Sequence, residues 1–106
     1  MMDYPKDADG DALRRIAAGS DMSKPMVIDF AVDVPTEAAG NEVVRLATES
    51  GYTPALEFDD DTKRWTCYCS KHMVPTYEAV LAAQQELDQL SAPVGGKSDG
   101  WGTLGN

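Results

Sequence analysis

The sequence carries one histidine and two cysteines, and only nine lysines and arginines against eighteen aspartates and glutamates. Each scarcity excludes something. With so few cations and a net charge of −9, there is no basic cluster of the kind that phosphate contacts require, so direct nucleic-acid binding is not expected. Cys67, Cys69 and His72 are all the soft metal ligands the chain has. That is one short of the four donors of a structural zinc site, so no metal and no cofactor is expected. No apolar run approaches the roughly 20 residues that a membrane helix needs. Met1 to Lys6 lacks the charged start and apolar middle of a secretory leader. The expectation is a cytoplasmic chain, away from membranes, with both thiols reduced.

What is present suits a globular protein. The 106 residues are 42% hydrophobic and 25% charged, enough for one domain with a modest core. Residues 1–8 read as a flexible lead and 9–106 as a single domain. Acids at Asp9 and Asp11 precede an amphipathic stretch in which Leu13, Ile16 and Ala17 share a helical face, stopped by Gly19. From Met26 to Val34 the pattern changes to a period of two. Met26, Ile28, Phe30, Val32 and Val34 form one face, and Val27, Asp29, Ala31 and Asp33 the other, as in a half-buried strand. Thr36 caps a helix running to about Ser50, with Val43, Leu46 and Ala47 as its buried seam and Gly40 and Asn41 weakening its first turns.

Tyr52–Phe58 and Arg64–Lys71 read as two strands around a polar turn, Asp59 to Lys63, which fits a hairpin. Trp65, Cys67 and Cys69 share one face of the second strand. Met73 to Thr76 opens a last helix, with Pro75 in its first turn and Tyr77, Val80, Leu81, Gln84, Leu87 and Leu90 at helical spacing. Residues 94–104 hold few strand formers, so a closing strand there should be short or irregular. The order implies an α+β fold. It is a ferredoxin-like α/β sandwich, an antiparallel sheet with two helices on one face, plus an N-terminal helix.

No constellation supports catalysis. Cys67 and Cys69 alternate onto one strand face, the pattern of core packing, and the turn between them and His72 gives no nucleophile–base pair. Asp59-Asp60-Asp61 is followed by Thr62 and Lys63 rather than by the glycine of a calcium loop, so it reads as a solvated turn. Asp29 and Asp33 lie about 13 Å apart along a strand, too far for acid–base cooperation. Two features remain. The stretch from His72 to Ser91 contains Glu78, Glu86 and Asp88 and no Lys or Arg. Near the terminus, Asp99-Gly100-Trp101-Gly102-Thr103 sets a large apolar side chain between glycines, which is expected to be placed against something rather than left in water.

Several stretches together resemble the regulator of ribonuclease E activity B (RraB) family. They are Asp9-Gly10-Asp11-Ala12-Leu13-Arg14-Arg15, then Ser23-Lys24-Pro25 leading into Ile28-Asp29-Phe30, then Met73-Val74-Pro75-Thr76-Tyr77, and last Asp99-Gly100-Trp101-Gly102-Thr103. The resemblance implies a non-catalytic, acidic, ferredoxin-like domain that binds the endoribonuclease RNase E and modulates its cleavage of RNA. The expected partner is such a ribonuclease or another basic protein segment. The candidate contacts are Glu78, Glu86, Asp88, Asp99 and Trp101, with Trp101 also expected to close the open end of the sheet. The rival expectation is a generic scaffold or small-ligand domain without ribonuclease regulation, since ferredoxin-like folds host many functions. The rival reading includes a dimeric form.

Overall fold

The computed structural model describes residues 4–106. Its central strand is β1 (Met26–Val34), in which Met26, Ile28, Phe30, Val32 and Val34 are buried to 2% exposure or less while the residues between them face outward. Burying such a side chain is worth about 1.5–3 kcal/mol, so this alternation commits one face of the sheet to the core. β3 (Arg64–Met73) pairs antiparallel with β1 from Met26 opposite Met73 to Val34 opposite Trp65. β2 (Thr53–Asp59) pairs antiparallel with the far side of β3, and β4 (Lys97–Thr103) with the other edge of β1. The strand order is β2-β3-β1-β4.

Three helices complete the fold. Each N-terminus is held by a side-chain oxygen that accepts an otherwise orphaned amide hydrogen. Asp7 caps α1 (Ala8–Ala17) at Gly10 N, 2.7 Å away; Thr36 caps α2 (Glu37–Glu49) at Ala39 N, 3.1 Å; Thr76 caps α3 (Tyr77–Ser91) at Ala79 N, 3.1 Å. α2 packs on β2 and β3, α3 on β4 and β1, and α1 against α3. This is the ferredoxin-like α+β sandwich, with α2 and α3 on one sheet face and α1 added beside α3. The other face has no helix over it.

The details depart from expectation in three places. α1 begins at Ala8 rather than after the Asp9–Asp11 acids, because Asp7 is the cap and the acids fall inside the first turn. Residues 1–3 of the lead expected over 1–8 lie outside the described residues. The rest of that stretch is tied down: Tyr4 is buried, and its carbonyl accepts from Arg14 Nη1 at 2.9 Å. Pro75 does not open α3. It lies before the Thr76 cap, buried, because the cap hydroxyl at Thr76 sets the first helical residue at Tyr77.

Two glycines are explained by close approach. Gly40 lets Leu56 of β2 sit against α2, since a Cβ there would lie 2.5 Å from Leu56 Cδ1. At Gly10 a Cβ would lie 1.8 Å from the Pro5 carbonyl oxygen. That contact is backbone and has no rotamer escape. Gly10→Ala is therefore expected to destabilise the protein by about 1–3 kcal/mol despite alanine's better helix propensity. Urea unfolding checks it, and an unchanged midpoint would contradict the packing described.

Candidate functional site

β4 decides which residues are available at the surface. Phe30 pairs with Trp101 and Val32 with Ser98, so Asp99 and Gly100 together stand opposite Ala31. This is a β-bulge, and Gly100 holds φ at +88°, a conformation costly for any residue with a Cβ. Beyond the bulge, Trp101 shares the helix-covered face with Phe30, where it packs against the core.

The indole is fixed there by α1. Trp101 Nε1 donates to Asp9 Oδ1 at 2.8 Å, and Gln84 Nε2 of α3 donates to Asp9 Oδ2 at 3.3 Å. Two residues before Asp9, Asp7 Oδ2 accepts from Tyr77 OH of α3 at 2.6 Å. That hydroxyl and the Gly10 amide hold the Asp7 carboxyl below the usual range, while Asp7 pushes the Tyr77 phenol up. Two aspartates thus dock α1 onto α3 and β4. Their chain position suggests only helix-dipole complementation; the partners are more than 65 residues away in sequence. The chain end is also anchored, with Asn106 Nδ2 donating to the Asp21 carbonyl at 2.7 Å and Asn106 Oδ1 accepting from Asp21 N at 3.0 Å.

The acids of α3 divide by what they touch. Glu86 Oε1 accepts from Tyr52 OH at 2.8 Å, and Asp88 Oδ1 accepts from Ser98 N at 2.7 Å, which fixes the start of β4. Glu78 is exposed in the first turn and makes no hydrogen bond or ion pair among the described residues. Asp99 is exposed on the bulge and likewise unpaired among the described residues. The five candidate contacts do not form one site. Asp99 and Trp101 line a groove on the helix-free sheet face, Glu86 lines a separate cleft with Tyr52 and Lys71, and Glu78 and Asp88 line neither.

The sheet-face groove has a volume of about 580 Å³. Its walls carry the carboxylates of Asp29, Asp59 and Asp99, with Tyr68, Ala31 and Gly102 among them and no Lys or Arg. Asp29 accepts from Ser70 Oγ, and Asp59 accepts from Asp61 N at 2.9 Å, so both carboxyl groups are oriented. Asp33, on the same face of β1, is neutralised by Arg64, with Nη2–Oδ2 at 2.7 Å and Nε–Oδ1 at 2.9 Å. Nothing in the sequence around Asp29 marks it as part of a groove, because its neighbours there, Asp59 and Asp99, lie on other strands. The pairing of four strands assembles the groove.

Among the described residues no group of three or more His, Cys, Asp or Glu is arranged to hold a metal ion. The Cys67 and Cys69 thiols are fully buried with sulfurs 3.7 Å apart, and the contact with Cys67 together with burial pushes the Cys69 thiol up. They serve the core. Among the described residues no helix is long and apolar enough to cross a membrane.

Asp9→Ala leaves the indole N–H without its acceptor and the Gln84 amide with only the Val80 carbonyl, 3.5 Å away, and lowers stability by about 1–3 kcal/mol. Trp101→Phe, which loses the N–H donor and shrinks the bicyclic indole to a phenyl, lowers the melting temperature in the same direction; unchanged melting in both variants would remove the docking role of Asp9. Burial, then the Glu86 bond, pushes the Tyr52 phenol well above its ordinary value of 10.0. A raised pKa in the folded state contributes stability that is present below pH 10 and is lost as the pH climbs through and past it. In an alkaline titration followed by tyrosinate absorbance, Tyr52→Phe should therefore remove a late-ionising component.

The comparisons with known proteins bear on the whole of this arrangement. No curated protein matches the chain. A family model does, the one described as regulator of ribonuclease activity B, over residues 6–103. That match runs from the residue before the Asp7 cap to the last residue of β4, taking in every element described above, and the chain belongs to the RraB family.

Proposed function

We propose that this chain is a non-catalytic, acidic regulator that binds an RNase E-like endoribonuclease and modulates RNA decay in the cytoplasm. The observation that carries this reading is the family match over residues 6–103. The charge supports it. A protein with a net charge of −9 repels RNA but is drawn to the basic segments with which a ribonuclease holds RNA. Binding there competes with the substrate without any chemistry on the regulator. Encounter is driven by the summed field, and affinity by whichever carboxylates meet the partner directly.

Of the five candidate contacts, Glu78 and Asp99 are the carboxylates left open to a partner. Glu86 and Asp88 act by holding Tyr52 and Ser98, and Trp101 by closing the edge of the core. The expected result with purified components is slower RNA cleavage by RNase E as the regulator is added. Its affinity for the enzyme should fall at least about tenfold when salt is raised to about 500 mM, where the screening length shrinks to a few ångströms. Cleavage unaffected by saturating regulator would sink the proposal.

A further inference from the structure

We infer that the helix-free face of the sheet is the docking surface for an arginine-rich protein segment, with a guanidinium stacked on Tyr68 and held by Asp29 and Asp99. The identity of the segment's owner rests on the ribonuclease reading; the surface and its chemistry do not.

Three observations carry it. First, the face has no cover. Val27 is 51% exposed and Tyr68 38% exposed, and both lie on the side opposite the helices, Tyr68 directly across from Ala31. Large side chains placed on an open sheet are contact area for a partner. Second, charge is segregated along this face. Arg64 is tied to Asp33, and Lys97 pairs in register with the same residue, so the cations gather at the Asp33 end. The groove around Tyr68 is lined by Asp29, Asp59 and Asp99 and by no cation; Arg64 stands in register opposite Asp59 but its guanidinium is turned to Asp33, so Asp29 and Asp99 are the carboxylates farthest from a cation's reach. Third, the bulge shapes the groove. The extra residue in β4 projects Asp99 beside it, while Gly102 stands opposite Asp29 with no side chain to fill the space.

The chemistry selects arginine. A guanidinium is planar, lies over a phenol ring, and offers N–H groups in a fork that fits carboxylates, whereas an ammonium is a point charge on a flexible stem. The size of the site selects a polymer. Its carboxylates lie on β2, β1 and β4 of the order β2-β3-β1-β4. Three strand spacings come to about 14 Å, the reach of roughly four extended residues. A second copy of this chain is a poor occupant, since it presents the same negative face.

The test titrates the full-length protein with a labelled peptide of alternating arginine and glycine, and with its lysine counterpart. Expected are saturable binding of the arginine peptide, severalfold weaker binding of the lysine peptide, and a loss of about tenfold in Tyr68→Ala and in the double variant Asp29→Asn/Asp99→Asn. Tyr68→Phe should retain most of the affinity, and Glu37→Gln, exposed in the first turn of α2, all of it. Circular dichroism melting of each variant confirms that the exposed substitutions leave the fold intact. Absence of peptide binding, equal binding by the sheet-face variants, or a loss confined to Glu37→Gln overturns the assignment. Repeating the titration with an RNase E separates the two readings. Peptide bound here with the ribonuclease ignored leaves the surface standing and removes the partner. Ribonuclease bound equally by wild type and by the sheet-face variants keeps the partner and removes the surface.

Discussion

Everything in this molecule depends on the two-residue period of β1. The strand is central, flanked by β3 and β4, so its side chains are sorted by pleat geometry alone: Met26, Ile28, Phe30, Val32 and Val34 to the helices, Val27, Asp29, Ala31 and Asp33 to the open face. A slip of one residue would bury two aspartates and expose five apolar side chains, which locks the register. The same constraint that makes the core therefore delivers carboxylates to the opposite surface.

β4 turns that sorting into a site. Its bulge at Asp99 and Gly100 changes the phase of the edge strand between Ser98 and Trp101. Trp101 goes to the core side and into the grip of Asp9, while Asp99 stays at the groove. The two glycines have different tasks. Gly100 supplies the positive φ of the bulge, and Gly102 leaves room on the open face. A single short motif thus finishes the core and opens the groove, so the stability of α1 docking and the shape of the open face are coupled through Trp101.

The acidic balance acts at two levels. As a field, a net charge of −9 on 106 residues repels polyanions and attracts cationic surfaces. As individual groups, many carboxylates are engaged within the fold. Asp7 and Asp9 dock α1, Asp88 pins β4, Glu86 holds Tyr52, and Asp33 is paired with Arg64. Counting acids along the last helix therefore overstates what it offers a partner, for only Glu78 of its three is unengaged among the described residues.

By itself the sequence determined the element order, the antiparallel hairpin around Asp59 to Lys63, the buried faces of β1 and β3, the Thr36 cap, and the irregularity of the last strand. These follow from local rules, periodicity, capping and turn chemistry, that neighbouring residues carry on their own. It also pointed to the family, through short motifs spread from Asp9 to Thr103. The tertiary structure alone decided what those motifs do. Asp9 meets Trp101 across 92 positions, Gly40 is small because Leu56 leans on it, and Tyr4 is core rather than lead. The groove draws on β1, β2, β3 and β4 at once. Contacts of this kind are set by which surfaces pack together, and no window of the chain contains both partners.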